Sequence, residues 1–468
     1  MKKVSFLAVF LVVSSFVFAQ KIELKAKVDE RCELLGAVFR LAGAEEYGNN
    51  YVPIYLDSLD KYFEPYKNHE IVEYTKMLYE NFEVAYDAPM SLAIHLQIVG
   101  DKISLIPNVK ENSLDSSRWD RGYLPRFIEL LNDFYVTTKF RDFFVSQSDF
   151  VEKVEQTATD YFSKIDMEWF KNFYGEVPDG NFCLVISFSN GSNNYGTKVE
   201  YLDGKEDLYA ITIVAIDSLN NPYFDDNWSL ELIIHEFCHS FCNHLIVENY
   251  DKMKKKAEEF FKIKQDELSR QAYTNAQTMM FETLVRASAI KYMADHYQIN
   301  LNRNFSIEKS HGFICIEEIY KFLLNYEQHR DKYPTLKSYM PEMVKVFNKL
   351  NPKKIIKEQE KQEKFMPVMS IDNIKNNSQD VDATTTQIVV KFDKKMNTRS
   401  CGANYGKGKE YFPEIIGVRW NEETKTEWIL EVKLEPNKEY SIVFPAQKFF
   451  SEDGVNAKNT INLDFKTK

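Results

Sequence analysis

The chain has 468 residues, 44% of them hydrophobic, and a formal charge of −11. Net acidity without a basic stripe excludes nucleic acid as an expected partner. The length exceeds one ordinary core and predicts two or more domains. Six cysteines without regular spacing (Cys32, Cys183, Cys238, Cys242, Cys315 and Cys401) permit disulfides but dictate none.

In chain order, Lys2 and Lys3 precede an uncharged apolar run from Val4 to Phe18, and Val17 and Ala19 stand three and one positions before a cut near Gln20. This is the pattern of a cleaved signal over residues 1–19. The run is shorter than the roughly 20 apolar residues of a spanning helix. The expectation is export to the periplasm or beyond, with no integral membrane segment after cleavage and a charge of −13 once Lys2 and Lys3 leave.

Residues 28 to about 175 carry helical spacing, as in Leu34-Leu35-Val38-Phe39-Leu41 and Phe127-Leu130-Leu131-Phe134. The period then changes. Phe182–Phe188 and Leu208–Ile216 are apolar and β-branched runs predicted as strands, with loop chemistry over 189–196 and a turn at Asp203-Gly204. Helical spacing returns from about Trp228 to Val247, where Leu230, Ile233, Ile234, Phe237, Phe241 and Leu245 form one apolar side and Asn227 or Ser229 can cap the start. A second helix is predicted from about Asn275 to His296, and more follow to about Leu350. Residues 351–365 are charged on nearly every face and predict a solvated linker. From Phe365 onward, alternating runs such as Trp428-Leu430-Val432-Leu434, with turns near Pro436-Asn437 and Asp453-Gly454, predict a small β-sandwich over 366–468.

The chemistry is concentrated in His235-Glu236-Phe237-Cys238-His239. Histidines four residues apart share one helical face, so both rings can reach one Zn²⁺ ion. Glu236 lies beside them, placed to take a proton from an attacking water. Histidine ten residues after His235 would complete one known pattern, but Leu245 occupies that position. His244 is rotated about 140° from His239 and faces elsewhere. Cys242 lies about 10 Å along the axis from His235, too far to share its ion; Cys238 and Cys242 read as small buried residues. The third ligand must come from another helix. Glu282, in Met279-Met280-Phe281-Glu282-Thr283-Leu284-Val285, is the candidate, because a lone carboxylate in apolar surroundings asks for a cation; the charged stretch Asp251 to Arg270 gives the chain room to reverse. The competing role for Glu282 is an i,i+4 ion pair with Arg286.

Together these residues resemble the gluzincins, in which a downstream glutamate completes a two-histidine, one-glutamate site. Many gluzincins carry an aspartate four residues after that glutamate, and this chain has Arg286 there. Arg286 is therefore a candidate to steady Glu282, to stabilise an oxyanion, or to form a structural salt bridge, and Tyr292 is the tyrosine named as a transition-state donor. More broadly, residues 28 to about 350 resemble an uncharacterised zincin-like family of exported bacterial proteins, through Glu33–Gly43, Tyr86–Met90, the His235 motif, and Glu282 with Arg286-Ala287. Pro367-Val368, Ile388–Phe392 and Lys394-Lys395-Met396 resemble bacterial immunoglobulin-like modules. His69 and His95 read as structural or cleft-lining rather than as ligands.

The expected class is α+β. A mostly helical zincin-like domain over 20–350 has a helical part to about 175, a catalytic core from about 176 and a small sheet; an all-β Ig-like sandwich follows. The expected activity is peptide-bond hydrolysis with one zinc ion on His235, His239 and Glu282, Glu236 as general base, and the 208–216 strand pairing with an extended peptide or protein substrate. The alternatives are hydrolysis of a non-protein amide, or a silent scaffold whose Ig-like module contacts a surface or protein.

Overall fold

The structure, a computed structural model, describes residues 24–468 apart from 121, 177–178, 192 and 225–227. The signal segment 1–19 with its cut near Gln20, and Asn227 as a cap, lie outside the described residues. Strand β1 (Ala26–Lys27) leads into helices α1 (Glu30–Leu41), α2 (Pro53–Phe63), α3 (Glu70–Phe82) and α4 (Asp87–His95). A hairpin of β2 (Leu96–Val99) and β3 (Lys102–Leu105) follows, then α5 (Leu124–Thr138), α6 (Phe140–Ser146), α7 (Ser148–Phe162) and α8 (Met167–Tyr174). The apolar spacing builds these helices: Leu34, Leu35, Val38 and Phe39 of α1 and Phe127, Leu130, Leu131 and Phe134 of α5 are all buried. Neither His69 nor His95 joins the metal-competent group: His69 caps α3 by accepting from the Ile71 N–H, and buried His95 is bonded to the Ser91 carbonyl and the Ser113 hydroxyl.

Next come β4 (Phe182–Ile186), β5 (Tyr195–Glu200), β6 (Glu206–Thr212) and the short pair β7 (Ala215–Ile216) and β8 (Pro222–Tyr223). The main sheet has the order β1-β4-β6-β5, parallel except for β5. This corrects the expected substrate strand. The run 208–216 is not one strand: β6 stops at Thr212 and is bonded to β4 on one side and β5 on the other, so it has no free edge. The sheet ends at β5, which polar Lys198 and Glu200 concealed from an apolar-run criterion.

Helix α9 (Trp228–Ile263) carries His235 and His239 and runs past Val247, the predicted end. Met253, Ala257 and Phe260 prolong its buried stripe, so the charged residues of 251–263 are one solvated face of the same helix and not the reversal. Ser229 lies inside α9 and not at its cap. The reversal is made by α10 (Gln265–Ser269) and the residues up to Asn275, whose side chain caps α11 (Ala276–His296). Helices α12 (Leu301–Ser310), α13 (Ile316–Glu327), α14 (Leu336–Lys349) and α15 (Pro352–Glu363) follow. One hydrophobic core runs from Leu24 to Ile355. Residues 352–363, expected as a solvated connector, are therefore a helix docked on that core by Ile355 and the half-buried Ile356.

A separate core, Met369 to Phe465, lies between two four-stranded sheets. Their strands are β9 (Met369–Ile371), β10 (Ser378–Val381), β11 (Gln387–Phe392), β12 (Asn404–Tyr405), β13 (Glu414–Trp420), β14 (Glu427–Lys433), β15 (Glu439–Phe444) and β16 (Ile461–Thr467). The orders are β10-β16-β15-β12 and β13-β14-β11-β9, antiparallel except for β10 with β16. Turns fall where expected, at Asn437 and Gly454, both with positive φ. The whole is α+β, as predicted. All six cysteines are free, and Cys32, Cys238, Cys242 and Cys315 are buried. Among the described residues no helix is long and apolar enough to cross a membrane.

Helix α1 is pinned to the residues after β4 by Glu33, whose buried carboxylate accepts from the Ser187 hydroxyl at 2.7 Å and the Phe188 N–H at 2.8 Å. Gly36 permits this approach: a Cβ there would stand 2.1 Å from Ser189 Oγ and 2.6 Å from the Ser189 carbonyl oxygen. Gly36→Ala is expected to lower stability by about 1–3 kcal/mol, read as an earlier urea midpoint; an unchanged midpoint would refute the contact.

Candidate metal centre

Helix α9 has two lives. Ile233, Ile234, Phe237, Cys238, Phe241 and Cys242 are buried, with Tyr174 stacked on Phe241 at 4.5 Å and Phe182 edge-on to Phe237 at 5.2 Å. His235 and His239 are only half-buried and line a cleft of about 430 Å³ with Glu231, Glu236, Tyr273, Glu282, Arg286 and residues of α12. Helix α11 packs along α9, Ser288 lying 3.7 Å from Cys242, and that crossing delivers Glu282.

The three expected ligands converge. His235 Nε2 and His239 Nε2 are 3.2 Å apart, Glu282 Oε2 is 3.6 Å from His235 Nε2, and Glu282 Oε1 is 3.4 Å from His239 Nε2. Ligands about 2.0–2.1 Å from one ion in tetrahedral array sit about 3.3 Å from each other, so the group could hold a metal ion. Burial, and then the neighbouring His239 and Arg286, push His235 well below its usual pKa and keep it neutral, the form that can ligate. Asn243 Oδ1 lies 3.2 Å from His239 Nδ1 and fixes that ring with Nε2 toward the cleft. Asn243, four residues past His239, was legible from helical spacing alone but was not singled out.

Glu236 is buried and lines the same cleft. Burial, and the Glu282 charge after it, push its carboxyl well above the ordinary range, while the Gly196 N–H of β5 pulls the other way. That strand is tight against α9: a Cβ on Gly196 would stand 2.1 Å from the Glu236 carbonyl oxygen.

Of its three candidate roles, Arg286 fills two, steadying Glu282 and forming a structural salt bridge. Its Nε donates to Glu282 Oε2 at 3.1 Å, its Nη1 to Glu308 Oε2 at 2.9 Å and its Nη2 to the Tyr273 hydroxyl at 3.1 Å, and the guanidinium lies 4.5 Å from the Phe313 ring centre. The ion pair and the ligand role of Glu282 are thus compatible, since Arg286 engages the carboxylate beside the imidazoles. Tyr292 is a correction. It is fully buried, its hydroxyl accepts from the Asp166 N–H at 2.6 Å, and its ring stacks on His296, away from the cleft. Tyr273 is the tyrosine that lines the cleft, presented by Ala272 in the left-handed region at φ +65°. It sits between α9 and α11, where no periodic signal marks it. His244 is absent from the metal-competent group; it is half-buried, and its Nδ1 has no hydrogen-bond partner among the described residues.

Residues 24–346 match DUF4932, a domain family of unknown function, and the chain belongs to that family. No curated protein and no solved structure matches it.

The Glu231 carboxyl, one turn before His235, has no hydrogen-bond partner among the described residues; burial, and then Glu308, raise it to about 7. A folded-state pKa above the unfolded value means that the folded chain binds the proton more tightly, so stability is lost as pH climbs from about 4.5 through 7. Glu231→Gln is therefore expected to raise the melting temperature of metal-free protein at pH 8 and to change little at pH 4.5. Equal shifts at both pH values would count against this.

Proposed function

We propose that this member of the family is a secreted, zinc-dependent metallopeptidase. The observation that carries the proposal is the convergence of His235, His239 and Glu282 beside the buried Glu236 in one open cleft. Two imidazoles and one carboxylate, with cleft space left beside them, suit a catalytic zinc site better than a closed structural one. Zinc held there supplies the Lewis acidity that polarises a carbonyl and makes water nucleophilic near neutral pH. Glu236 accepts the proton of the attacking water on its carboxylate and returns it to the departing amine. Its buried setting, with the Gly196 N–H on the carboxylate, holds that base in one orientation. Tyr273, in place of Tyr292, donates to the developing oxyanion, with Arg286 fixing its hydroxyl.

Two features favour an extended peptide over another amide. Strand β5 ends the sheet; residues 108–113 bond its outer edge from Glu200 onward, but a substrate chain laid along its first residues, where Gly196 stands against Glu236, meets the base. A mainly apolar pocket of about 100 Å³, lined by Phe162, Ile213, Ala215, Phe224 and Leu232 with Thr212, Tyr223 and Ser229, shares Leu232 with the metal cleft and suits an apolar side chain. The signal pattern of residues 1–19 supports export. Retention of Glu236 argues against a silent scaffold, which has no use for a base.

A fluorogenic peptide library with and without chelator tests the activity: chelator-sensitive cleavage is expected, and cleavage indifferent to chelator would overturn it. Glu236→Gln is expected to retain one zinc per chain while kcat falls by about 10²–10⁴. Full activity in that variant would remove the proposed base. Glu282→Ala is expected to lower zinc content by elemental analysis, whereas Tyr273→Phe should keep zinc and lower kcat about 10²-fold.

A further inference from the structure

Helix α12 has two faces with different company. Asn304, Ile307 and Glu308 line the metal cleft, whereas Asn300, Arg303 and Ser306 meet residues 450–456 of the C-terminal β-domain. At its start, Asn300 caps the helix by accepting from the Arg303 N–H, and Gly454 presses on that same side chain: a Cβ on Gly454 would stand 2.2 Å from Asn300 Nδ2. One turn on, the Arg303 guanidinium lies 4.5 Å from the Phe450 ring centre, and the Ser306 hydroxyl donates to Asn456 Oδ1. Phe450 is fully buried yet belongs to neither hydrophobic core; its burial is an interface burial.

The cleft side of α12 continues the chain of contacts. Glu308 accepts from Arg286 at 2.9 Å, and Arg286 donates to Glu282 at 3.1 Å. Burial alone would raise the Glu308 carboxyl, but Arg286 and His311 hold it below the usual value, so it stands as a fixed anion. The joints between the β-domain and the metal-facing carboxylate are thus a steric fit at Asn300, a cation–π contact at Arg303, a hydrogen bond at Ser306 and, beyond the helix, the Glu308–Arg286–Glu282 ion pairs.

We infer that the C-terminal β-domain is part of the apparatus that positions the metal ligand: by clamping α12 it fixes Glu308, which through Arg286 fixes Glu282. Glu308 is a positioning residue in this scheme, and the β-domain is a buttress of the cleft. The inference rests on the metal-site proposal above, and one experiment separates their failures.

In the full-length chain, hydrogen exchange is measured with and without zinc, and zinc affinity is measured by competition with a chromophoric chelator. Coupling between two sites is reciprocal, so zinc is expected to slow exchange in α12 and in residues 450–456, none of which carries a metal ligand. Gly454→Ala, which drives a methyl group into Asn300 from the β-domain side, is expected to weaken zinc about tenfold, the size of effect seen when a ligand's supporting partner is disturbed. It should also alter the visible spectrum of the cobalt-substituted protein. Protection that stops short of residues 450–456 overturns the inference, whatever the variant does. Affinity and spectrum unchanged in a folded Gly454→Ala overturn it as well. Failure of the unmodified chain to bind zinc at all defeats the metal-site proposal, and this inference falls with it.

Discussion

The structure depends on one buried ionic arrangement: Glu282 faces two imidazoles on one side and a guanidinium on the other. A carboxylate at this depth is costly unless cations or donors surround it. Arg286 meets part of that requirement and is itself half-buried, so it needs Glu308 and the Tyr273 hydroxyl in turn. The demand for compensation therefore spreads from α11 to the reversal before it and to α12. The sheet, the α9–α11 crossing and the aromatic packing around Phe237 and Phe241 serve as the frame that makes this arrangement reproducible.

The cleft also crowds more carboxyls than its one guanidinium can pair. Glu231, Glu236, Glu282 and Glu308 line it against the single guanidinium of Arg286. Glu231 has its proton affinity raised by burial and by Glu308. Such crowding of carboxyls, which raises the proton affinity of Glu231 and Glu236, costs stability and is common where a site is shaped for chemistry or binding. The strained Ala272 before Tyr273 belongs to the same pattern, a local cost incurred where a side chain must be aimed.

What was legible in the sequence was whatever repeats with a period. The helices around Phe127 and Leu34, the α9 stripe, and the Asn275–His296 helix follow from spacing, and the metal-competent group follows from two histidines a turn apart and a carboxylate in an apolar run. What escaped was set by pairing in three dimensions. The alternation of β5 is weak because Lys198 and Glu200 sit on an edge strand, so the strand at the sheet's end was hidden while buried, apolar β6 drew attention. Helix α9 was cut short because Lys252 and Lys254–Lys256 mask Met253, Ala257 and Phe260. Tyr292 and Tyr273 look alike in one dimension; only the fold turns one into the core and the other toward Glu282. The role of Ile355 was likewise hidden in a charged run.

The unpaired thiols have a consequence of their own. Cys32, Cys238, Cys242 and Cys315 are enclosed by packed side chains, and no covalent cross-link braces either unit. The native fold consequently needs no oxidant to hold it, and only Cys183 and Cys401 stay partly accessible once it has formed. The vulnerable interval is earlier, while the chain is still open and six sulfhydryls can meet one another or an oxidant. Burial of four of the six thiols, rather than any staple, is what withdraws them from thiol–disulfide exchange once the fold has formed.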